Sequence, residues 1–162
     1  MSALGLDAVS FNADSYRIAL IVAQVAVLGW IVLHDLRTLI VPNRYVYPAI
    51  AVSLIAIAPL GLGAITAVWL GALAAFAVVL GIAIVSRGAM GFGDTKVGAL
   101  CGAIVGLQGV VPMLTLTFVG GGIISVGLLL TRIRSRSDAI AFTPFFLFAV
   151  VATLLLTGPS IN

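Results

Sequence analysis

The sequence has no glutamate, one cysteine, one histidine and one lysine. Charge is scarce throughout: eight Lys/Arg and five Asp amount to 8% of 162 residues. A soluble domain typically carries about 25% charged residues. With 62% hydrophobic residues and a mean hydropathy of +1.30, a water-soluble fold would leave long apolar runs unburied. The same composition excludes a disordered chain. Cys101 has no partner for an internal disulfide, and no Cys/His cluster offers a zinc site. No metal or other cofactor is expected. The pI near 9.6 comes without a basic patch interleaved with aromatics, so no nucleic-acid partner is expected. Residues 1–16 hold Asp7 and Asp14 but no Lys or Arg, so the positive n-region of a cleavable signal peptide is missing.

What is present is a series of apolar runs, at about 17–36, 45–60, 63–85, 95–111, 113–131 and 139–157. A spanning helix needs roughly 20 apolar residues. Alternation of apolar and polar residues, the mark of a transmembrane barrel, does not occur. The expected fold is therefore an all-α polytopic membrane protein, a bundle of six transmembrane helices. Residues 1–162 form one membrane-embedded domain, with 1–16 as a tail and about 17–157 as the bundle. The breaks have chemical causes. Pro42-Asn43 separates the first pair of runs, and Pro59 with Gly61 and Gly63 the second. Ser86-Arg87-Gly88 ends the third. Gly106 to Pro112 predicts a tight, uncharged turn, and Arg132 to Asp138 is the most polar connection.

Cytoplasmic loops carry an excess of Lys and Arg. With the N-terminus outside, the loops 37–44, 86–94 and 132–138 fall inside. They hold Arg37, Arg44, Arg87, Arg132, Arg134 and Arg136, with Lys96 just within the fourth run; the outside keeps Arg17. This asymmetry predicts an N-out, C-out protein of the cytoplasmic membrane, in contact with the lipid bilayer. Asp35 then closes the first run and Asp94 opens the fourth, both at the cytoplasmic boundary. An ionisable residue at such depth is costly and usually faces the bundle interior. Asp94, Gly98, Gly102 and Gly106 recur every four residues on one helix face. Gly63, Ala67, Gly71 and Ala75 form a second stripe of small residues. Such stripes let helices approach closely.

Two carboxylates on one membrane side suggest an aspartic dyad. Two adjacent Asp share a proton; one acts as base toward a water and the other as acid toward a carbonyl or leaving amine. His34 adjoins Asp35 and so points about 100° away on a helix; it reads as an interfacial polar residue. Cys101 reads as a small packing residue. Asp138 reads as a solvated partner of Arg134 or Arg136. Around Asp94 runs Gly91-Phe92-Gly93-Asp94-Thr95-Lys96. Gly91 and Gly93 would let backbone approach a substrate strand closely. Lys96 reads either as a side chain snorkelling to headgroups or as a holder of an acidic substrate group.

The stretch Asp35-Leu36-Arg37-Thr38-Leu39-Ile40-Val41-Pro42-Asn43 resembles the first aspartate motif of type IV prepilin peptidases, and Gly91 to Lys96 resembles their second. Ala141-Phe142-Thr143-Pro144-Phe145 resembles the proline-containing motif of their last span. The resemblance covers about 30 to 160. It implies that Asp35 and Asp94 are catalytic, with Gly91, Gly93, Lys96, Pro42 and Asn43 as supporting or substrate-binding residues. It implies a partner as well: a prepilin-like precursor whose basic leader is cut on the cytoplasmic side. Nothing in the chain resembles the N-terminal domain, often with zinc-binding cysteine pairs, of larger members. Cleavage without N-methylation is therefore expected. The short form resembles the peptidases of Tad/Flp-type pilus systems, or archaeal preflagellin peptidases.

Other readings compete. A small ion- or proton-coupled transporter or channel subunit could use the same two Asp, although both sit at one boundary rather than the midplane. A presenilin-like protease shares G-x-G-D but has more spans and a Tyr-Asp first motif, where His34 stands here. An inactive scaffold would use the helices for packing alone.

Overall fold

The computed structural model describes the backbone of residues 3–86, 90–130 and 141–158, and the side chains of 12–86, 90–125, 127 and 141–158. Arg87, Arg132, Arg134, Arg136 and Asp138 lie outside the described residues. Within them the chain is all helical: α1 (Ala3–Thr38), α2 (Asn43–Ala56), a 3-10 turn (Ala58–Leu60), α3 (Leu62–Val85), α4 (Phe92–Leu130) and α5 (Thr143–Thr157). Four helical stretches are long and apolar enough to cross a membrane: Asn12–Thr38, Asn43–Leu60, Leu62–Val85 and Phe92–Ser125. The fifth helix, with 15 residues, is apolar but shorter.

The helix boundaries follow local chemistry. α1 closes where Leu39 takes φ 54° and its N–H donates to the Asp35 carbonyl at 2.7 Å. Pro42, extended at φ −78° and ψ 109°, precedes α2, and its carbonyl accepts from the N–H groups of Tyr45 and Val46. The last-turn carbonyls of α2 have no intrahelical partner. Two are satisfied by neighbouring helices: the Tyr16 hydroxyl donates to Ala56 at 2.8 Å, and the Trp69 indole donates to Leu54 at 3.3 Å.

The expected turn over 106–112 contracts to one residue. Gly106 has φ 68° and ψ 173° inside α4, and helix resumes directly, with Pro112 inside the second arm. That conformation is essentially restricted to glycine. Positions 94 and 118 are 24 apart, which in a straight helix means about 36 Å. Yet both line one cavity. The chain therefore reverses at Gly106, and α4 is a helical hairpin. Gly106→Ala is expected to cost about 1–3 kcal/mol, read as a lower midpoint for unfolding in detergent. An unchanged midpoint would refute this reading of the hinge.

The first arm of α4 is the centre of the bundle. Every residue from 97 to 106 is buried, with Val97, Leu100, Cys101 and Ile104 at 0% exposure. A helix apolar on all sides belongs in such a position. α2, α3 and α5 pack around it, with Val46, Val79, Phe146 and Val150 in the same cluster. In lipid the association of helices rests on close packing rather than on the hydrophobic effect, and the small-residue stripes supply it. Gly71 of α3 abuts Gly102 and Gly106, and Gly98 abuts Val79. The outer half of the α3 stripe is displaced by one residue: Gly63 is exposed, and the buried face runs through Ala64, Val68, Gly71, Ala75 and Val79. Cys101 is a buried packing residue, as expected.

Candidate active site

Where α1 ends and α2, α4 and α5 begin, the helices leave a cavity of about 710 Å³. Its wall includes Asp35, Leu39, Ile40, Val41, Asn43, Gly91, Gly93, Asp94, Lys96, Phe118 and Phe142. Asp35 arrives from the last turn of α1 and Asp94 from the first turn of α4. Both carboxyls belong to the wall of this one cavity.

The two acids have different surroundings. Asp35 is 4% exposed, and its Oδ2 accepts a 2.6 Å hydrogen bond from the Thr143 hydroxyl. Thr143 is the first residue of α5 and is fully buried. Asp94 is half-buried. Its N–H donates to the Gly91 carbonyl at 3.1 Å. That local loop fixes Asp94 within its own sequence motif, whereas Asp35 is fixed by a distant part of the chain.

Lys96 turns toward α2. Its Nζ donates to Asn43 Oδ1 at 2.7 Å and sits 5.0 Å from the centre of the Tyr47 ring. Neither sequence reading of Lys96 included this contact, which ties the helix carrying Asp94 to the start of α2. Gly93 packs against Val41, whose Cβ would stand 2.9 Å from a Cβ added at 93. Of the residues singled out from sequence, Asp35, Asp94, Gly91, Gly93, Lys96 and Asn43 converge on the cavity; Pro42 does not line it and acts at the start of α2. His34 is half-buried and is not part of the wall.

Thr143 had no role in the sequence reading. A signal was available: a hydroxyl at a helix start, inside an apolar run, most often finds an acceptor. Phe118 and Phe142 were also missed. Their rings lie 5.8 Å apart and close the cavity from the α4–α5 side, a pairing that depends on the reversal at Gly106. Among the described residues no group of three or more His, Cys, Asp or Glu stands close enough to hold a metal ion.

A buried acid held by a hydroxyl, facing a second acid across a cavity with glycine backbone in its wall, is an arrangement suited to activating water against a peptide bond. A model of the type IV leader peptidase family matches residues 22–126, from within α1 through most of α4. No curated protein and no solved structure matched the chain. The family match spans more than half the sequence and contains both aspartates. With four apolar helices of spanning length, this is a multi-pass membrane peptidase: the chain belongs to the type IV leader peptidase family.

Proposed function

We propose that this chain is an aspartic endopeptidase that removes the basic leader from prepilin-like precursors of the Flp/Tad type at the cytoplasmic face of the membrane, without methylating the new N-terminus. The observation that carries the reading is the convergence of Asp35 and Asp94 on one cavity. Like charges facing each other are costly, so the pair holds one proton between two carboxyls. The ionised partner draws a proton from a water as its oxygen attacks the scissile carbonyl carbon. The protonated partner gives its proton to the carbonyl oxygen, forming a tetrahedral diol. Collapse of the diol breaks the C–N bond. The proton taken from water passes to the leaving amine, one diol hydroxyl returns its proton to the carboxylate that had acted as acid, and a carboxyl and a new N-terminus result. No covalent intermediate forms. The open backbone at Gly91 suits an extended substrate strand, while the space beside Gly93 is taken by Val41.

We read residues 1–162 as a single peptidase domain crossing the membrane six times, N-out and C-out, with 1–16 outside. The reversal at Gly106 supports counting α4 as two crossings. In this arrangement the precursor's apolar helix lies against the bundle, and its basic leader stays in the cytoplasm. The test is co-expression with a prepilin-type precursor, a basic leader joined to an apolar helix, followed by mass spectrometry of the product. Loss of the leader with an unmethylated N-terminus is expected. An intact precursor would overturn the peptidase assignment, and an added methyl mass would overturn its restriction to cleavage.

A further inference from the structure

We infer that Thr143 is a positioning residue for Asp35: its hydroxyl orients the carboxyl so that one oxygen faces the substrate water. The inference rests on the assignment of Asp35 to the dyad. Thr143 lies beyond the stretch matched by the family model, which ends at residue 126.

Four other helical hydroxyls set the contrast. Ser53, Thr66, Thr115 and Thr117 each donate to a carbonyl three or four residues back in their own helix. That is the ordinary way to satisfy a hydroxyl on an apolar helix. Thr143 stands at the first position of α5, so the turn that would supply such a carbonyl lies before the helix. No side chain caps the start of α5, and the next residue is Pro144, which has no N–H to offer a hydroxyl acceptor. The hydroxyl instead reaches across 108 positions to Asp35 Oδ2.

The surroundings hold it there. Thr143 is 0% exposed and branched at Cβ, which restricts its rotamer. The adjoining Phe142 and Phe146 rings stand 6.1 Å apart, and both pack on Phe118 of α4. With Oδ2 engaged, Oδ1 of Asp35 is the oxygen left for the water. Thr143 does not line the cavity, so it acts on the reaction through Asp35 and not through the substrate.

The experiment compares kcat and KM for cleavage of a purified prepilin-type precursor by the parent, Thr143→Val, Thr143→Ser and Asp35→Asn in detergent. Thr143→Val keeps the shape and removes the donor. Its kcat is expected to fall by about 10²-fold, the effect of misplacing a reacting group by about 1 Å, while KM stays at the parental value. Thr143→Ser, which keeps the donor, should recover most of kcat. Parental kcat in Thr143→Val, a serine variant as slow as the valine variant, or a change in KM alone would each overturn the inference. Should the valine variant fail to accumulate, Thr143→Ala against Thr143→Ser makes the same comparison. Parental activity in Asp35→Asn, or a parent that cleaves no such precursor, would remove the dyad itself. An inactive Asp35→Asn beside an active Thr143→Val would remove only the role of Thr143.

Discussion

Asp35→Asn and Asp94→Asn are each expected to lower the rate of leader cleavage by about 10²–10⁴-fold, the range for loss of a positioned acid or base. Asparagine has nearly the shape of aspartate but neither ionises nor carries the transferable proton. Its amide oxygen still accepts a hydrogen bond, so the Thr143 contact to position 35 is retained. The amount of protein in the membrane and its unfolding midpoint should stay near parental values. The double variant should be scarcely slower than either single one, because two residues that act as a unit lose their joint contribution once. A single-turnover cleavage assay on equal amounts of folded protein measures all three. Parental activity in either variant would exclude the dyad. Multiplicative losses in the double variant would mean that the two carboxyls act separately.

Gly71→Ala and Gly102→Ala should each destabilise the bundle by about 3 kcal/mol, the upper part of the range for overpacking a filled core. A Cβ at 71 would stand 2.5 Å from the Gly102 carbonyl oxygen and 2.7 Å from the Gly106 carbonyl carbon. One at 102 would meet the Gly71 carbonyl and stand 2.6 Å from Ala75 Cβ. These neighbours include backbone, which cannot swing aside as a flexible side chain can. The helices must separate, and the arm that moves is the one carrying Asp94. Loss of cleavage should therefore accompany loss of stability. Gly81 lies ten residues further along α3, and a Cβ there would meet nothing within 4 Å. Gly81→Ala is the control: alanine is favoured over glycine in a helix by about 1 kcal/mol, so stability should hold or rise. Unfolding in detergent compares the three. Equal midpoints would mean that α3 and α4 are not held by this contact.

Much of the architecture was legible because hydropathy and charge are properties of each residue in place. The scarcity of charge required a membrane bundle, and the apolar runs anticipated α3 closely, at 63–85 against Leu62–Val85. Other boundaries moved for local reasons. α1 begins at Ala3 rather than 17, since polar residues before the apolar run do not stop a helix. The turn at 106–112 became Gly106 alone, because one residue with positive φ is enough to reverse the chain.

The sequence by itself determined that this is a helical membrane protein with two motif aspartates at helix ends and glycines where helices approach. These follow from composition and from the 3.6-residue period. Only the tertiary structure decided that Asp35 and Asp94 face one cavity, that Lys96 turns to Asn43, and that Thr143 holds Asp35. Each of those contacts joins helices distant along the chain, and the one from Thr143 depends on α4 folding back so that the start of α5 meets the end of α1. A hydroxyl in an apolar run announces that it needs an acceptor, but the packing of the bundle selects which one.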